Sequence, residues 1–186
     1  MYRAGFVLTG GLSSRMGRDK ALLPFPGGPL AGFVARQVEQ AAGRAALVGA
    51  ARRHGALGYP VIEDLYPGQG PLGGILTALE TTAADWNLVV ACDMPRLSVP
   101  FLTQLLEAAA RLDADALVPA DPEGRLEPLC AVYHRRALGG LTAAFQQGTR
   151  KIAAALERVR MTALPVTEVT HFQNINTVEE WARCDQ

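Results

Sequence analysis

The chain has 186 residues, 49% of them hydrophobic and 19% charged, and its 18 basic and 18 acidic residues give a formal net charge of +0. One domain with a sizeable core is the default at this length. The neutral balance excludes a nucleic-acid binder that works by general charge attraction, while a small anionic ligand needs only a local patch. Cys92, Cys130 and Cys184 are too few and too widely spaced for a disulfide framework or a zinc motif, which fits a reducing cytoplasm. No signal peptide is expected, because the apolar run after Arg3 reaches glycines at once. No apolar run approaches the roughly 18 residues of a membrane span.

The first predicted element is a buried strand over Tyr2–Leu8. It runs into LTGGLSSRMGRDKALL (8–23), which gathers Gly10-Gly11, two serines, Arg15, Arg18 and Lys20. Glycines let backbone N–H groups turn toward a ligand, and successive N–H groups form a concave anion site. Neither the P-loop spacing nor the dinucleotide fingerprint is present. The chain holds two lysines, Lys20 and Lys151, against 16 arginines. An ammonium at Lys20 is a compact point charge that suits phosphate oxygens, and Arg15 adds a bidentate clamp.

Pro26-Gly27-Gly28 then signals a turn, and Leu30, Phe33, Val34, Gln37 and Val38 follow helical spacing up to a stop at Gly43. Strands are expected at 45–48 and 60–62, with a short helix at 52–57 between them. A second glycine-rich loop, YPGQGPLGG (66–74), leads into a helix from Ile75. A strand at 87–91 ends in Cys92-Asp93, and Ser98 caps a helix over 99–112. Strands at 114–119 and 129–133, helices at 135–147 and 152–158, and an extended stretch at 161–166 follow. Thr177-Val178-Glu179-Glu180 is a capping box that opens a last helix. Alternating units of this kind imply an α/β fold: a single domain with a mostly parallel, twisted sheet and helices on both faces. Ligands bind such sheets at the carboxyl ends of the strands. Gly10-Gly11, Asp64 and Asp93 all stand there.

Asp93 is placed to hold Mg²⁺, which takes one or two carboxylates with phosphate and water completing its octahedron. Asp64, ending VIED (61–64), can accept hydrogen bonds from the N1–H and exocyclic amine of guanine, or serve as a turn residue. Asn174 and Asn176 in NINT (174–177) stand i, i+2 and point the same way on extended backbone, toward a second ligand or as a polar loop. His54, His134 and His171 lack an evident partner and read as structural or surface residues. Cys92 reads as a small buried residue, not a nucleophile.

The stretch 8–23 resembles the L-[AT]-G-G-x-S-x-R-[MF]-G-x-[DN]-K signature of single-domain nucleotidyltransferases. With VIED, GPLGG (70–74), ACDMP (91–95), EPLCAVY (127–133), GTRKI (148–152) and NINTVEE (174–180), the whole chain resembles the molybdenum cofactor guanylyltransferase family (MobA). The resemblance implies a Rossmann-like nucleotidyltransferase fold whose N-terminal part binds GTP and whose C-terminal part binds molybdopterin. The implied reaction transfers GMP from GTP to molybdopterin and releases diphosphate, with Mg²⁺ as cofactor. It assigns GTP contacts to Leu8, Thr9, Gly10, Gly11, Lys20, Asp64 and Asp93. It places Arg15, Lys20 and Asp93 in catalysis, Asp93 on the metal, and Asn174 and Asn176 on the pterin. It further implies a cytoplasmic protein independent of nucleic acid and membrane, in transient contact with molybdenum-insertion proteins and client molybdoenzymes. Two positions depart from the family: Gly49 stands where some members use an Asn to bind GTP, and Thr9 replaces the commoner Ala as a mild change. The alternatives are a cytidylyltransferase acting on the same pterin, a sugar-phosphate nucleotidyltransferase, or a non-catalytic nucleotide-binding accessory protein.

Overall fold

The computed structural model describes residues 2–10 and 19–174. Strand β1 (Arg3–Leu8) is apolar on both faces, as a strand covered on both sides must be. After a 3₁₀ turn at Lys20–Leu22, a small hairpin of β2 (Pro24–Phe25) and β3 (Gly28–Pro29) leads into α1 (Leu30–Ala42). Helix α1 stops where expected, at Gly43, whose φ of 83° favours glycine. Next come β4 (Ala45–Gly49), the single-turn α2 (Ala51–His54) and β5 (Val61–Glu63).

Helix α3 spans Pro71–Thr81 and so begins inside the second glycine-rich loop, four residues before the expected Ile75. Pro71 supplies a preset first-turn φ. Gly73 and Gly74 let the helix approach the chain closely: a Cβ on Gly73 would stand 2.8 Å from that of Tyr66, and one on Gly74 3.2 Å from Leu8. The chain then forms β6 (Trp86–Ala91), α4 (Val99–Ala110), β7 (Ala116–Ala120) and β8 (Cys130–His134). Ser98 caps α4 as expected, its Oγ accepting the Phe101 N–H. Helices α5 (Ala137–Gln146) and α6 (Ile152–Leu156) and strand β9 (Met161–Pro165) follow, and a 3₁₀ turn at Val169–Phe172 ends the described secondary structure. The capping box at 177–180 lies outside the described residues.

Among the described residues seven strands form one sheet in the order β5-β4-β1-β6-β8-β7-β9. All neighbours run parallel except β8, which is antiparallel to β6 and β7. The cause lies in residues 121–129, a tight turn closed by the Gly124 amide on the Asp121 carbonyl. That segment is too short to carry the crossover a parallel neighbour requires. Helices α1 and α4 cover one face through Leu30, Val34, Val38, Leu102, Leu105 and Leu106. Helices α3, α5 and α6 cover the other through Leu72, Ile75, Leu76, Leu141 and Leu156. The fold is one α/β domain with a mostly parallel sheet, as the alternating pattern implies.

Gly5, in the middle of β1, has no room for a side chain: a Cβ would collide with Val38 Cγ1 of α1 and lie 3.0 Å from the Arg44 carbonyl. Gly5→Ala is therefore expected to destabilise the domain by about 1–3 kcal/mol through overpacking. A urea unfolding midpoint equal to that of the unsubstituted chain would contradict this packing.

Candidate active site

The register of β1 brings the site together. Leu8 pairs with Val48 of β4 on one side and Ala91 of β6 on the other. The pattern continues one residue beyond each strand: the Thr9 amide donates to the Val48 carbonyl at 2.9 Å, and the Cys92 amide to the Leu8 carbonyl at 3.1 Å. Thr9-Gly10 and Asp93 are thereby held at neighbouring strand ends. Asp64 joins them from β5, and its Oδ2 would lie 3.7 Å from a Cβ placed on Gly10. The Gly10 backbone and the Asp64 carboxylate are therefore near neighbours.

Lys20 enters from the first residue of the 3₁₀ turn. Its Nζ donates to Asp93 Oδ2 at 3.3 Å, and both side chains are about 20% exposed. The pair is wet enough to exchange partners, so an incoming phosphate chain can compete for the ammonium. Asp19 caps the same turn, its Oδ1 accepting the Ala21 N–H at 3.1 Å.

Asp64 is half-buried and oriented. Its Oδ1 accepts the Tyr66 N–H at 2.9 Å and faces the Thr77 hydroxyl at 3.1 Å. Among the described residues Oδ2 has no hydrogen bond. One oxygen is thus committed to the turn that opens the second glycine-rich loop. The other remains as an acceptor with two lone pairs. The turn role and the ligand role anticipated for Asp64 are compatible, one on each oxygen.

Asp93 also suits a metal. Among the described residues its Oδ1 is without a hydrogen bond, and no cluster of three or more His, Cys, Asp or Glu side chains surrounds it. A second carboxyl, Glu127 at the entry to β8, lies within electrostatic reach. Burial pushes the Glu127 carboxyl up, the hydrogen bond from the Leu129 amide pulls it back, and the charge of Asp93 adds to the rise. A donor set of one carboxylate with water and substrate phosphate around it fits Mg²⁺, and a divalent cation there would relieve the carboxylate repulsion.

Comparison with known proteins identifies the family. Residues 5–160 match the family model described as the MobA-like NTP transferase domain. The chain is 33% identical to a probable molybdenum cofactor guanylyltransferase of Bacillus cereus, with 98% of this chain and 96% of that protein covered. The chain belongs to the MobA-like NTP transferase family. The crystal structure of molybdopterin-guanine dinucleotide biosynthesis protein A from Archaeoglobus fulgidus superposes with a TM-score of 0.82 at 29% identity, covering 98% and 96% of the two chains. A 2-C-methyl-D-erythritol 4-phosphate cytidylyltransferase from Thermus thermophilus shares the fold with a TM-score of 0.70 at 18% identity, covering 97% and 96%. The chain is a nucleotidyltransferase, and its relatives are named for molybdenum cofactor biosynthesis.

Of the site residues expected in this MobA-like chain, Leu8, Thr9, Gly10, Lys20, Asp64 and Asp93 gather at one edge of the sheet. Gly11, Arg15, Arg18 and Asn176 lie outside the described residues. Asn174 is half-buried, and its Oδ1 is buried without a hydrogen-bond partner among the described residues. It follows the 3₁₀ turn Val169–Phe172, which His171 docks on α4. The His171 ring stacks on Phe101 at 4.4 Å, and its Nδ1 lies 3.3 Å from the carbonyl of Arg96, three residues past Asp93. An open cavity of about 820 Å³ lies there, lined by Arg96, Phe101 and His171 among others.

Three positions carry more than the sequence reveals. His54 is fully buried, as a structural histidine should be, but it has polar partners 35 and 45 positions away in Asp19 and Thr9. Thr9 is not a mild replacement for Ala, because its hydroxyl is wired to the His54 ring and the Val48 carbonyl. Gly49 is glycine because a Cβ would collide with Thr9 Oγ1 and come within 3.1 Å of His54 Nδ1. Nothing in the spacing marks Asp19 or His54 for these roles.

Cys92 is buried and, among the described residues, a free thiol; burial pushes that thiol well up, and the charges of Asp93 and Asp19 add to the effect. A protonated, enclosed sulfur is a poor nucleophile. Cys92→Ala is expected to keep nucleotidyl transfer within about threefold of the unsubstituted rate, whereas loss of a true nucleophile costs orders of magnitude. A steady-state rate assay with the substituted enzyme decides between them.

Proposed function

We propose that this enzyme transfers GMP from GTP to a terminal phosphate of molybdopterin, its N-terminal part holding the nucleotide and its C-terminal part the pterin, in the cytoplasm. The observation that carries the reading is the meeting of Lys20, from its 3₁₀ turn, with Asp93, Asp64 and Gly10 at the carboxyl ends of the strands. A point charge for phosphate, a carboxylate for a cation, an acceptor for guanine and an open backbone are what a bound nucleoside triphosphate calls for. The names of the relatives supply the second substrate.

In the proposed reaction an acceptor phosphate oxygen forms a bond to the α-phosphorus of GTP while the α–β bridging bond breaks, and the electron pair leaves with diphosphate. The acceptor is already anionic, so the chain needs no activated serine or cysteine. Lys20, released from Asp93, neutralises charge on the triphosphate, and Arg15 joins it. Asp93, freed from that ion pair, would hold Mg²⁺. When bound, that ion polarises the phosphoryl oxygens and neutralises developing charge. Asp64 Oδ2 accepts a hydrogen bond from the guanine amine or N1–H. Positioning and charge neutralisation then account for the catalysis. On the acceptor side, Asn174 offers a buried amide oxygen with no partner among the described residues, and the cavity lined by His171 combines the Arg96 cation with an aromatic surface. Molybdenum-insertion proteins and client molybdoenzymes are the proposed transient partners.

The test is incubation with each of the four nucleoside triphosphates, Mg²⁺ and molybdopterin, with the product identified by mass. The guanine dinucleotide and diphosphate are expected from GTP. The cytosine dinucleotide from CTP would contradict the base assignment, and binding of GTP without diphosphate release would make the chain a sensor. Asp93→Ala is expected to lower turnover at least about 100-fold while the circular dichroism spectrum and melting temperature stay native-like. A rate near that of the unsubstituted enzyme, with Mg²⁺ present, would sink the metal assignment.

A further inference from the structure

Behind the strand edge lies a polar chain that the proposed reaction does not use. His54, at the end of α2, is 0% exposed and engaged at both ring nitrogens. Nδ1 lies 3.0 Å from Thr9 Oγ1, and Nε2 lies 3.1 Å from Asp19 Oδ2. Thr9 Oγ1 is in turn 3.0 Å from the Val48 carbonyl. The proton inventory is constrained. An ionised carboxylate only accepts, so Nε2 carries a proton toward Asp19. Nδ1 either accepts the Thr9 hydroxyl proton or, in an imidazolium, donates to that oxygen while the hydroxyl turns to Val48. Both arrangements leave every buried polar atom of the chain paired, because the Val48 carbonyl also accepts the Thr9 amide.

Asp19 is where this chain meets the site. Its Oδ2 takes the His54 bond, and its Oδ1 caps the 3₁₀ turn at the Ala21 amide. The backbone carbonyls of Asp19 and Lys20 close the same turn by accepting the Leu22 and Leu23 amides. Lys20 starts that turn and reaches Asp93. Among the described residues the other side-chain partner of Asp19 is Arg53, whose side chain is 42% exposed. Such a surface pair holds little, so the buried imidazole is the firm anchor. The missing side chain of Gly49 belongs to the same device, since a Cβ there would displace the Thr9–His54 contact.

We propose that His54 is a positioning residue: by holding Asp19 it fixes the turn that aims Lys20 at the triphosphate, and so it sets nucleotide affinity through Lys20. A long lysine side chain loses much rotamer freedom on binding, and anchoring its backbone lowers what remains to be ordered. This deepens the nucleotide reading and rests on it.

The experiment is a double-substitution cycle on the full chain, read as the equilibrium dissociation constant of Mg²⁺·GTP by calorimetry, with melting temperatures alongside. His54→Phe keeps a ring and removes both hydrogen bonds. It is expected to weaken GTP binding about tenfold. Combined with Lys20→Ala it is expected to add nothing, because the two act in series. His54→Gln, which can still offer an N–H to Asp19, is expected to recover most of the loss. If His54→Phe does not fold, Asp19→Asn runs the same cycle: it keeps a capping oxygen but removes the charge that receives the Nε2 proton. Losses that add in the double variant, or full affinity in the folded single variant, overturn the tether while leaving the nucleotide reading in place. No binding of GTP by the unsubstituted chain overturns the nucleotide reading and the tether with it.

Discussion

The position of β1 between β4 and β6 is the constraint on which the site depends. Leu8 is paired on both sides, and the ladder runs one step beyond the strand through the Thr9 and Cys92 amides. Two backbone hydrogen bonds thus hold Thr9-Gly10 and Asp93 in a register that the buried faces of β1 already enforce. A slip of one residue would turn Val7 and Leu8 to the wrong layers, exchanging the contacts made with α1 and α3. Gly5 and Gly74 serve the same end from opposite faces, letting α1 and α3 close on the strand. Core packing and site geometry are here one problem.

From that frame the chemistry follows with few groups. The described edge offers one ammonium, one carboxylate paired with it and a second carboxylate fixed by one oxygen. Lys20 and Asp93 neutralise each other in a 3.3 Å ion pair. On the proposed reading the triphosphate takes Lys20 and a cation takes Asp93, so charge is balanced before and after binding. The high, buried thiol of Cys92 fits a mechanism without a covalent intermediate. The Thr9–His54–Asp19 chain supplies rigidity behind a turn that must present a flexible side chain.

Much of this was legible in the sequence because it rests on local rules. The strand-helix alternation gave the parallel sheet, Gly43 and Ser98 marked a helix end and a helix start, and Asp64 and Asp93 fell just past the carboxyl ends of their strands. What escaped depends on contacts between distant positions. The start of α3 at Pro71 hides in a run that reads as loop, because Gly73 and Gly74 serve packing against Tyr66 and Leu8 while only Gly68 and Gly70 take turn backbone. The antiparallel β8 follows from the absence of a crossover after β7, which periodicity within a strand does not encode. The roles of Thr9, Gly49 and His54 appear only when three segments are folded together: the hydrogen bonds of His54 reach 45 and 35 positions back to Thr9 and Asp19, and the mutual exclusion of a Gly49 side chain and the Thr9 hydroxyl is a matter of volume.

The central claim is that the edge formed by Gly10, Lys20, Asp64 and Asp93 is the donor-nucleotide site. The most direct measurement is a crystal structure with Mg²⁺ and a GTP analogue whose α–β bridge cannot be cleaved. The account predicts the guanine edge within hydrogen-bond distance of Asp64 Oδ2, phosphate oxygens on Lys20 Nζ, and the cation on Asp93. A nucleotide bound elsewhere, or its phosphates on a different set of strand ends, would contradict it.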